Sequence, residues 1–120
     1  MLQLLRDVLA GKPALKRSPK WPALQKLHLK KQPVCQVCGG KKELNAHHKK
    51  PFNDYPELEL DPNNLITLCN ARRCHITFGH GGDFRAWNPN VDQDVIHARQ
   101  MIASRRYDRL ESRGVENMPQ

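Results

Sequence analysis

Two stretches decide how this chain folds: Cys35-Gln36-Val37-Cys38-Gly39-Gly40-Lys41-Lys42-Glu43-Leu44-Asn45-Ala46-His47-His48, and Asn64-Leu65-Ile66-Thr67-Leu68-Cys69-Asn70-Ala71-Arg72-Arg73-Cys74-His75. All four cysteines of the chain fall in them, as Cys35-x2-Cys38 and Cys69-x4-Cys74. Zinc takes four soft donors in a tetrahedron, and two such knuckles each supply two thiolates. Gly39 and Gly40 give the first knuckle the backbone freedom to fold round an ion; the second, with four intervening residues, is looser than the usual two. Four thiolates leave no open position, so a zinc here is structural. Binding at such a site is worth on the order of 10 kcal/mol or more, comparable to the whole stability of a small domain. The plain alternative is four unrelated buried or free cysteines.

The rest of the composition makes a staple necessary. With 120 residues, 38% hydrophobic and only 6% aromatic, the chain forms one small core that is lean for its length. Twenty Lys and Arg against twelve Asp and Glu leave a net charge of +8, which favours a polyanionic partner, most often nucleic acid. Met1 to Ala10 carries a Leu2, Leu5, Leu9 stripe broken by Arg6 and Asp7, unlike a secretory signal. No apolar run reaches membrane-spanning length. A cytoplasmic, reducing location is therefore expected, where paired cysteines bind metal more often than they cross-link.

Along the chain, Met1–Ala10 reads as a short amphipathic helix ended by Gly11 and Pro13, with a basic link of Lys12, Lys16, Arg17 and Lys20. A second helix is expected from Ser18-Pro19, with Ser as cap, to about Lys31, placing Trp21, Leu24 and Leu27 on one side. Val34 to Ala46 reads as two short strands around the knuckle. Lys49 to Asn63, rich in Pro, Asn and Asp, is a loop, and its Asp54, Glu57, Glu59 and Asp61 read as solvated rather than as ligands. After Leu65, Ile66 and Leu68, a helix begins near Arg72 to Cys74 and falters at Gly79. The last helix runs from about Val91 to Arg113, with Val91, Val95 and Ile102 on one side, Ile96 and Ala103 on another, Tyr107 and Leu110 beyond, and Arg106, Arg109 and Arg113 on a solvated or phosphate-facing side. Glu116 to Gln120 reads as a frayed tail.

Six histidines are present. His28 and His97 fall in helices and read as surface or partly packed. His47-His48, His75 and His80 cluster with the cysteines. Adjacent residues on a strand point to opposite faces, so one of His47 and His48 can hold a metal while the other faces a water. Neutral imidazole ligates divalent ions and suits a general base near neutrality.

His47-His48 after a Cys-x2-Cys knuckle, then Asn64-Leu65-Ile66-Thr67-Leu68-Cys69, then Cys74-His75, resembles the zinc-containing HNH endonucleases, a family common in bacteria and their phages. Trp21-Pro22 and Lys26, leading into Pro33-x-Cys35, resemble the lead-in of those proteins. The resemblance spans roughly Ser18 to Gly82. It implies an α+β fold: a small zinc-stapled ββα-metal core at 18–82, an N-terminal helix and basic link at 1–17, and a C-terminal helix and tail packing on the core at 83–120. It makes His48 the general base and Asn64 the residue that braces the loop and orients that base. Cys35, Cys38, Cys69 and Cys74 hold the structural Zn²⁺. His47, His75 and His80 hold a catalytic divalent ion, Mg²⁺, Mn²⁺, Ni²⁺ or another; His80, five residues after His75 where four would share a helix face, joins only if the helix bulges near Gly79.

The implied activity is metal-dependent hydrolysis of DNA phosphodiester bonds, with the ion bridging a phosphate oxygen and the leaving oxygen and products bearing 5′-phosphate and 3′-hydroxyl. Imidazoles suit Ni²⁺, Co²⁺, Mn²⁺ or Zn²⁺ better than Mg²⁺. Lys49, Lys50, Arg72 and Arg73 are placed to hold phosphates, with affinity that is largely sequence-independent and salt-sensitive. Each residue also has an ordinary reading: His47-His48 as polar strand residues, Asn64 as a turn residue after Pro62, His75 as a zinc ligand in place of a cysteine. Two other functions fit the charge and the cysteines, a non-catalytic zinc-ribbon nucleic-acid-binding module and a scaffold with an acidic protein partner, but neither gives the histidine set a role.

Overall fold

Hydrophobic spacing, prolines and the two knuckles divide the chain into few and short elements. The structure, a computed structural model, describes residues 16–112. In order these are helix α1 (Trp21–Lys31), strand β1 (Leu44–His48), 3-10 turns Pro56–Leu58 and Pro62–Asn64, strand β2 (Leu65–Cys69), a π-helical turn His75–Gly79, and helix α2 (Val91–Ser112). The expected Met1–Ala10 helix, Lys12, Arg113, the side chain of Tyr107 and the tail at 116–120 lie outside the described residues. No described helix is long and apolar enough to cross a membrane.

β1 and β2 pair antiparallel, with His47 opposite Ile66 and His48 opposite Leu65. This is a small α+β fold. Every residue of β2 is buried, because it has a neighbour on each side. β1 lies along one edge, and the Gln36 N–H donates to the Thr67 carbonyl at 3.0 Å along the other. On one face, Ile66 and Leu68 join Cys35, Val37, Cys69, Cys74 and the α2 residues Val91 and Val95 in the core. On the other, the Thr67 amide and hydroxyl donate to Oε1 and the carbonyl of Gln32, each at 2.8 Å, fixing the end of α1. Arg99 of α2 donates to the Gln36 carbonyl at 2.8 Å, so the long helix also grips the first knuckle.

Three local expectations are corrected. Val34–Glu43 forms no strand: the knuckle spends its backbone groups on itself, Cys35 N–H to Gly40 O at 2.8 Å and Gly39 N–H to Cys35 O at 2.9 Å. Gly39 at φ 74° and Glu43 at φ 52° then turn the chain, so only β1 extends. α1 begins at Trp21, with Lys20 at the cap and Pro22 in the first turn; Ser18 instead accepts from the Lys20 N–H at 3.2 Å just outside it. Leu27 is exposed while Leu24 is half-buried, since two steps of three residues drift about 120° round a helix. The buried side continues through Gln25, His28 and Leu29.

Among the described side chains, those of α2 that join the core lie in its first half. Val91 and Val95 are buried and Ile102 half-buried, while Ile96, Met101 and Leu110 are exposed. Asp92 and Asp94 sit in its first turn, where negative charge meets the positive end of the helix.

Candidate metal centre and catalytic cleft

The two cysteine pairs close on one point. Sγ atoms of Cys35, Cys38, Cys69 and Cys74 all lie within 4.8 Å of one another, none is in a disulfide, and three of the four are buried. The Gly40 N–H donates to Cys38 Sγ at 3.4 Å, and Cys38 and Cys69 Sγ stand 3.7 Å apart. Burial pushes the Cys35 and Cys74 thiols up, whereas the Gly40 amide and neighbouring thiols bring Cys38 down to about 7 against its own burial. Four thiols this close cannot ionise together without a cation between them. The set fits a structural zinc.

The histidines form a second cluster. β1 alternation sends His47 and His48 to opposite faces. His47 is 4% exposed and meets the π-helical turn, where His75 Nε2 lies 3.1 Å from His47 Nδ1 and 3.2 Å from His80 Nε2. The five-residue separation of His75 and His80 is accommodated by that turn, whose i→i+5 winding covers His75–Gly79. Gly79 is needed for a second reason: a Cβ there would stand 3.0 Å from the His47 ring.

The proton positions show what this cluster lacks. His75 Nδ1 lies 3.0 Å from Asn70 Oδ1 and His80 Nδ1 lies 2.8 Å from the Ala86 carbonyl. Oxygen only accepts in both pairs, so each Nδ1 carries the hydrogen and each Nε2 presents a lone pair inward. His47 Nε2 is buried without a partner, which costs about 1–3 kcal/mol. Burial first, then the neighbouring imidazoles, push His47 down to about 3; burial, then His80, push His75 down to about 4. At neutral pH these two rings are uncharged. Two inward lone pairs beside the buried, uncharged His47 ring fit a divalent cation, and outer oxygen partners that fix the tautomers of His75 and His80 are the usual support of such ligands.

His48 faces α1. Its ring lies on Trp21, centroids 4.3 Å apart, and its Nε2 is 3.0 Å from the Glu59 carbonyl. A carbonyl only accepts, so Nε2 carries the hydrogen and Nδ1 is left as the acceptor. Burial lowers its pKa, opposed by the Glu59 bond. Asn64 is buried and ties the surrounding loop together: Oδ1 accepts from Lys50 N–H at 2.9 Å, and Nδ2 donates to the carbonyls of Lys50 and Leu58 at 3.0 and 3.2 Å. Lys50 follows the histidine pair and Leu58 precedes Glu59, so one side chain holds both ends of the support of His48.

Residues 35–80 match the family model of the HNH endonuclease. The chain carries an HNH domain. Neither a curated protein nor a solved structure matches it. Members of the HNH family are in general nucleases, and the two clusters of this domain can each hold a metal ion.

A cleft of about 450 Å³ brings His47, His48, His75 and His80 to one surface of the HNH domain. Asn64 lies behind it rather than in it. Of the four basic residues expected to hold phosphates, none lines this cleft: Lys49 pairs with Asp92 at 3.1 Å, the Lys50 Nζ lies 5.2 Å from the Tyr55 ring, and Arg72 and Arg73 are exposed on the second knuckle. The cations that do line it are Arg17 and Arg85, which spacing alone does not single out. Arg17 stacks on Phe52 at 4.5 Å. Glu59 also departs from expectation. It is 4% exposed, because its carboxylate accepts the Ser18 N–H at 3.1 and 3.2 Å and pairs with Arg17 at 3.7 Å. Asp54 and Glu57 are solvated as expected.

Proposed function

We propose that the chain is a metal-dependent endonuclease that hydrolyses DNA phosphodiester bonds, with His48 as general base. The observation that carries this is the pairing, in one cleft, of three converging imidazoles with a fourth whose Nδ1 is free to accept. His48, neutral at pH 7, takes a proton from a water as its oxygen attacks phosphorus, and the bond to the leaving 3′-oxygen breaks, that oxygen taking a proton from solvent, to give 5′-phosphate and 3′-hydroxyl ends. Glu59 O holds the base in the required tautomer, and Asn64 keeps Glu59 O in place. Arg17 and Arg85 attract and orient the phosphate backbone, so affinity falls with salt. His47, His75 and His80 would hold a divalent cation, which would supply charge neutralisation to the reacting phosphate. The imidazole donors favour Mn²⁺, Ni²⁺, Co²⁺ or Zn²⁺ over Mg²⁺, while Cys35, Cys38, Cys69 and Cys74 hold Zn²⁺ for stability.

Purified protein is incubated with supercoiled plasmid and EDTA, Mg²⁺, Mn²⁺ or Ni²⁺, beside His48→Ala. The expected result is metal-dependent nicked or linear product, reduced about 10²- to 10⁴-fold in a folded His48→Ala. No cleavage with any ion, by protein holding one zinc, would sink this reading in favour of a zinc-stapled nucleic-acid-binding module.

A further inference from the structure

Phe84 is an aromatic side chain that the core does not use. Its surface is 58% exposed, yet it lines the cleft, with its ring 5.6 Å from His75 and 5.0 Å from His80, centroid to centroid. The segment that presents it is anchored: Asp83 accepts from the Arg85 N–H at 2.9 Å, Ala86 N–H donates to the Asp83 carbonyl at 2.9 Å, and the Ala86 carbonyl holds His80 Nδ1. The ring is therefore fixed relative to the histidine cluster. The other aromatic rings near the base are engaged, Trp21 against His48 and Phe52 beneath Arg17.

Whatever covers Phe84 also covers His75 and His80. A lasting protein partner there would shut the centre, so the natural occupant of this ring is the substrate. Arg17 and the exposed Arg85 make the same cleft attractive to phosphate, Asp83 being paired with Arg85 at 3.2 Å and Asp54 standing at the rim. The only broad apolar faces a nucleic acid owns are its bases, and in an intact duplex these are stacked on one another. A cleft of about 450 Å³ is the size of a small-ligand site, room for one nucleotide.

We propose that Phe84 stacks on an unpaired or extruded base next to the scissile phosphate, so that the site takes single-stranded or locally opened DNA in preference to intact duplex. This rests on the nuclease reading above. Half-buried Trp87 also lines the cleft, but its ring is engaged edge-on with Tyr55 at 5.9 Å.

The test uses the full chain carrying His48→Ala, so that bound DNA stays intact, and oligonucleotides with 2-aminopurine as a stacking reporter. Phe84→Ala and Phe84→Leu are each expected to abolish quenching and weaken single-strand binding about five- to a hundredfold, with less than about a twofold change for duplex; Phe84→Trp is expected to restore both. Equal losses for single strand and duplex, or wild-type quenching in Phe84→Leu, would overturn the proposal. Zinc content and melting are followed throughout, and if Phe84→Ala fails to fold, the Leu and Trp pair decides. A wild type that quenches but cleaves nothing defeats the nuclease reading and leaves the stacking platform. A Phe84→Leu enzyme with the wild-type preference between strands defeats the platform alone.

Discussion

The cysteine and histidine clusters are two answers to the same coordination problem. Each gathers its donor atoms within 4.8 Å, and each depends on a glycine lying against a ligand, Gly40 at Cys38 and Gly79 at His47. They differ in closure. The cysteines supply four donors, three of them buried, and complete a tetrahedron. The histidines supply three, with His75 and His80 half-buried at a cleft, so that an ion held by them would keep positions open to the cleft. A closed set holds the fold and an open set does chemistry; the π-helical turn, running from beside Cys74 to His80, ties one to the other.

The largest effect expected is on the closed site. Cys35→Ser, or removal of zinc, is expected to abolish cooperative unfolding, since about 10 kcal/mol of metal binding rivals the whole stability of a small domain. His75→Ala should leave one zinc and a cooperative transition while losing cleavage. Circular dichroism melts with metal analysis check both; a Cys35→Ser protein that melts like wild type without zinc breaks the division of labour.

Next is Gly79→Ala. Its Cβ would press on the His47 ring at 3.0 Å, and misorienting one ligand is expected to weaken the histidine-site metal about 10- to 100-fold, with the zinc untouched. Titration with Mn²⁺ or Ni²⁺ measures this, and equal loss at both sites would show that the clusters are not separable.

Acid provides a third probe. Burial holds His47 and His75 down to about 3 and about 4 in the folded chain, against the ordinary 6.5 when unfolded. Between those limits the unfolded chain binds more protons, so stability rises with pH and is lost on acidification from 6.5 toward 4. With one equivalent of zinc, enough for the cysteine site alone, and no other divalent ion, the melting midpoint of wild type should fall more steeply over that interval than that of His47→Gln. Parallel slopes would contradict the assignment.

The smallest effect belongs to Lys49→Ala. Its pair with Asp92, whose side chain is 58% exposed, contributes about 0–1 kcal/mol, and because Lys49 lies outside the cleft, cleavage should change less than twofold. A large loss of activity would move the DNA path toward β1's end.

Legibility in the sequence followed the range of the interaction. The knuckles, the His-His pair and the loop after it are local patterns, and the glycines, prolines and cysteines that write them are where the structure has turns and donor atoms. Glu59 and Arg17 show what local reading misses: a glutamate in a polar loop reads as solvated, and it is buried because Ser18, 41 residues away, brings an N–H to its carboxylate. The knuckle's lack of strands has the opposite cause, since it closes hydrogen bonds on itself and only the Gln36 N–H reaches β2.

By itself the sequence determined the four cysteine donors, the β1 alternation that separates His47 from His48, and the condition that His80 needs a bulge before it meets His75. Each follows from residue chemistry and from periods of two or four that hold before anything packs. Only the tertiary structure decided which nitrogen of His48 is free, which cations face the cleft and that Phe84 stands uncovered beside the histidines. Those depend on carbonyls, carboxylates and rings brought together from Arg17 to Trp87, and side-chain contacts over such distances are set by the packed core rather than by neighbours in the chain.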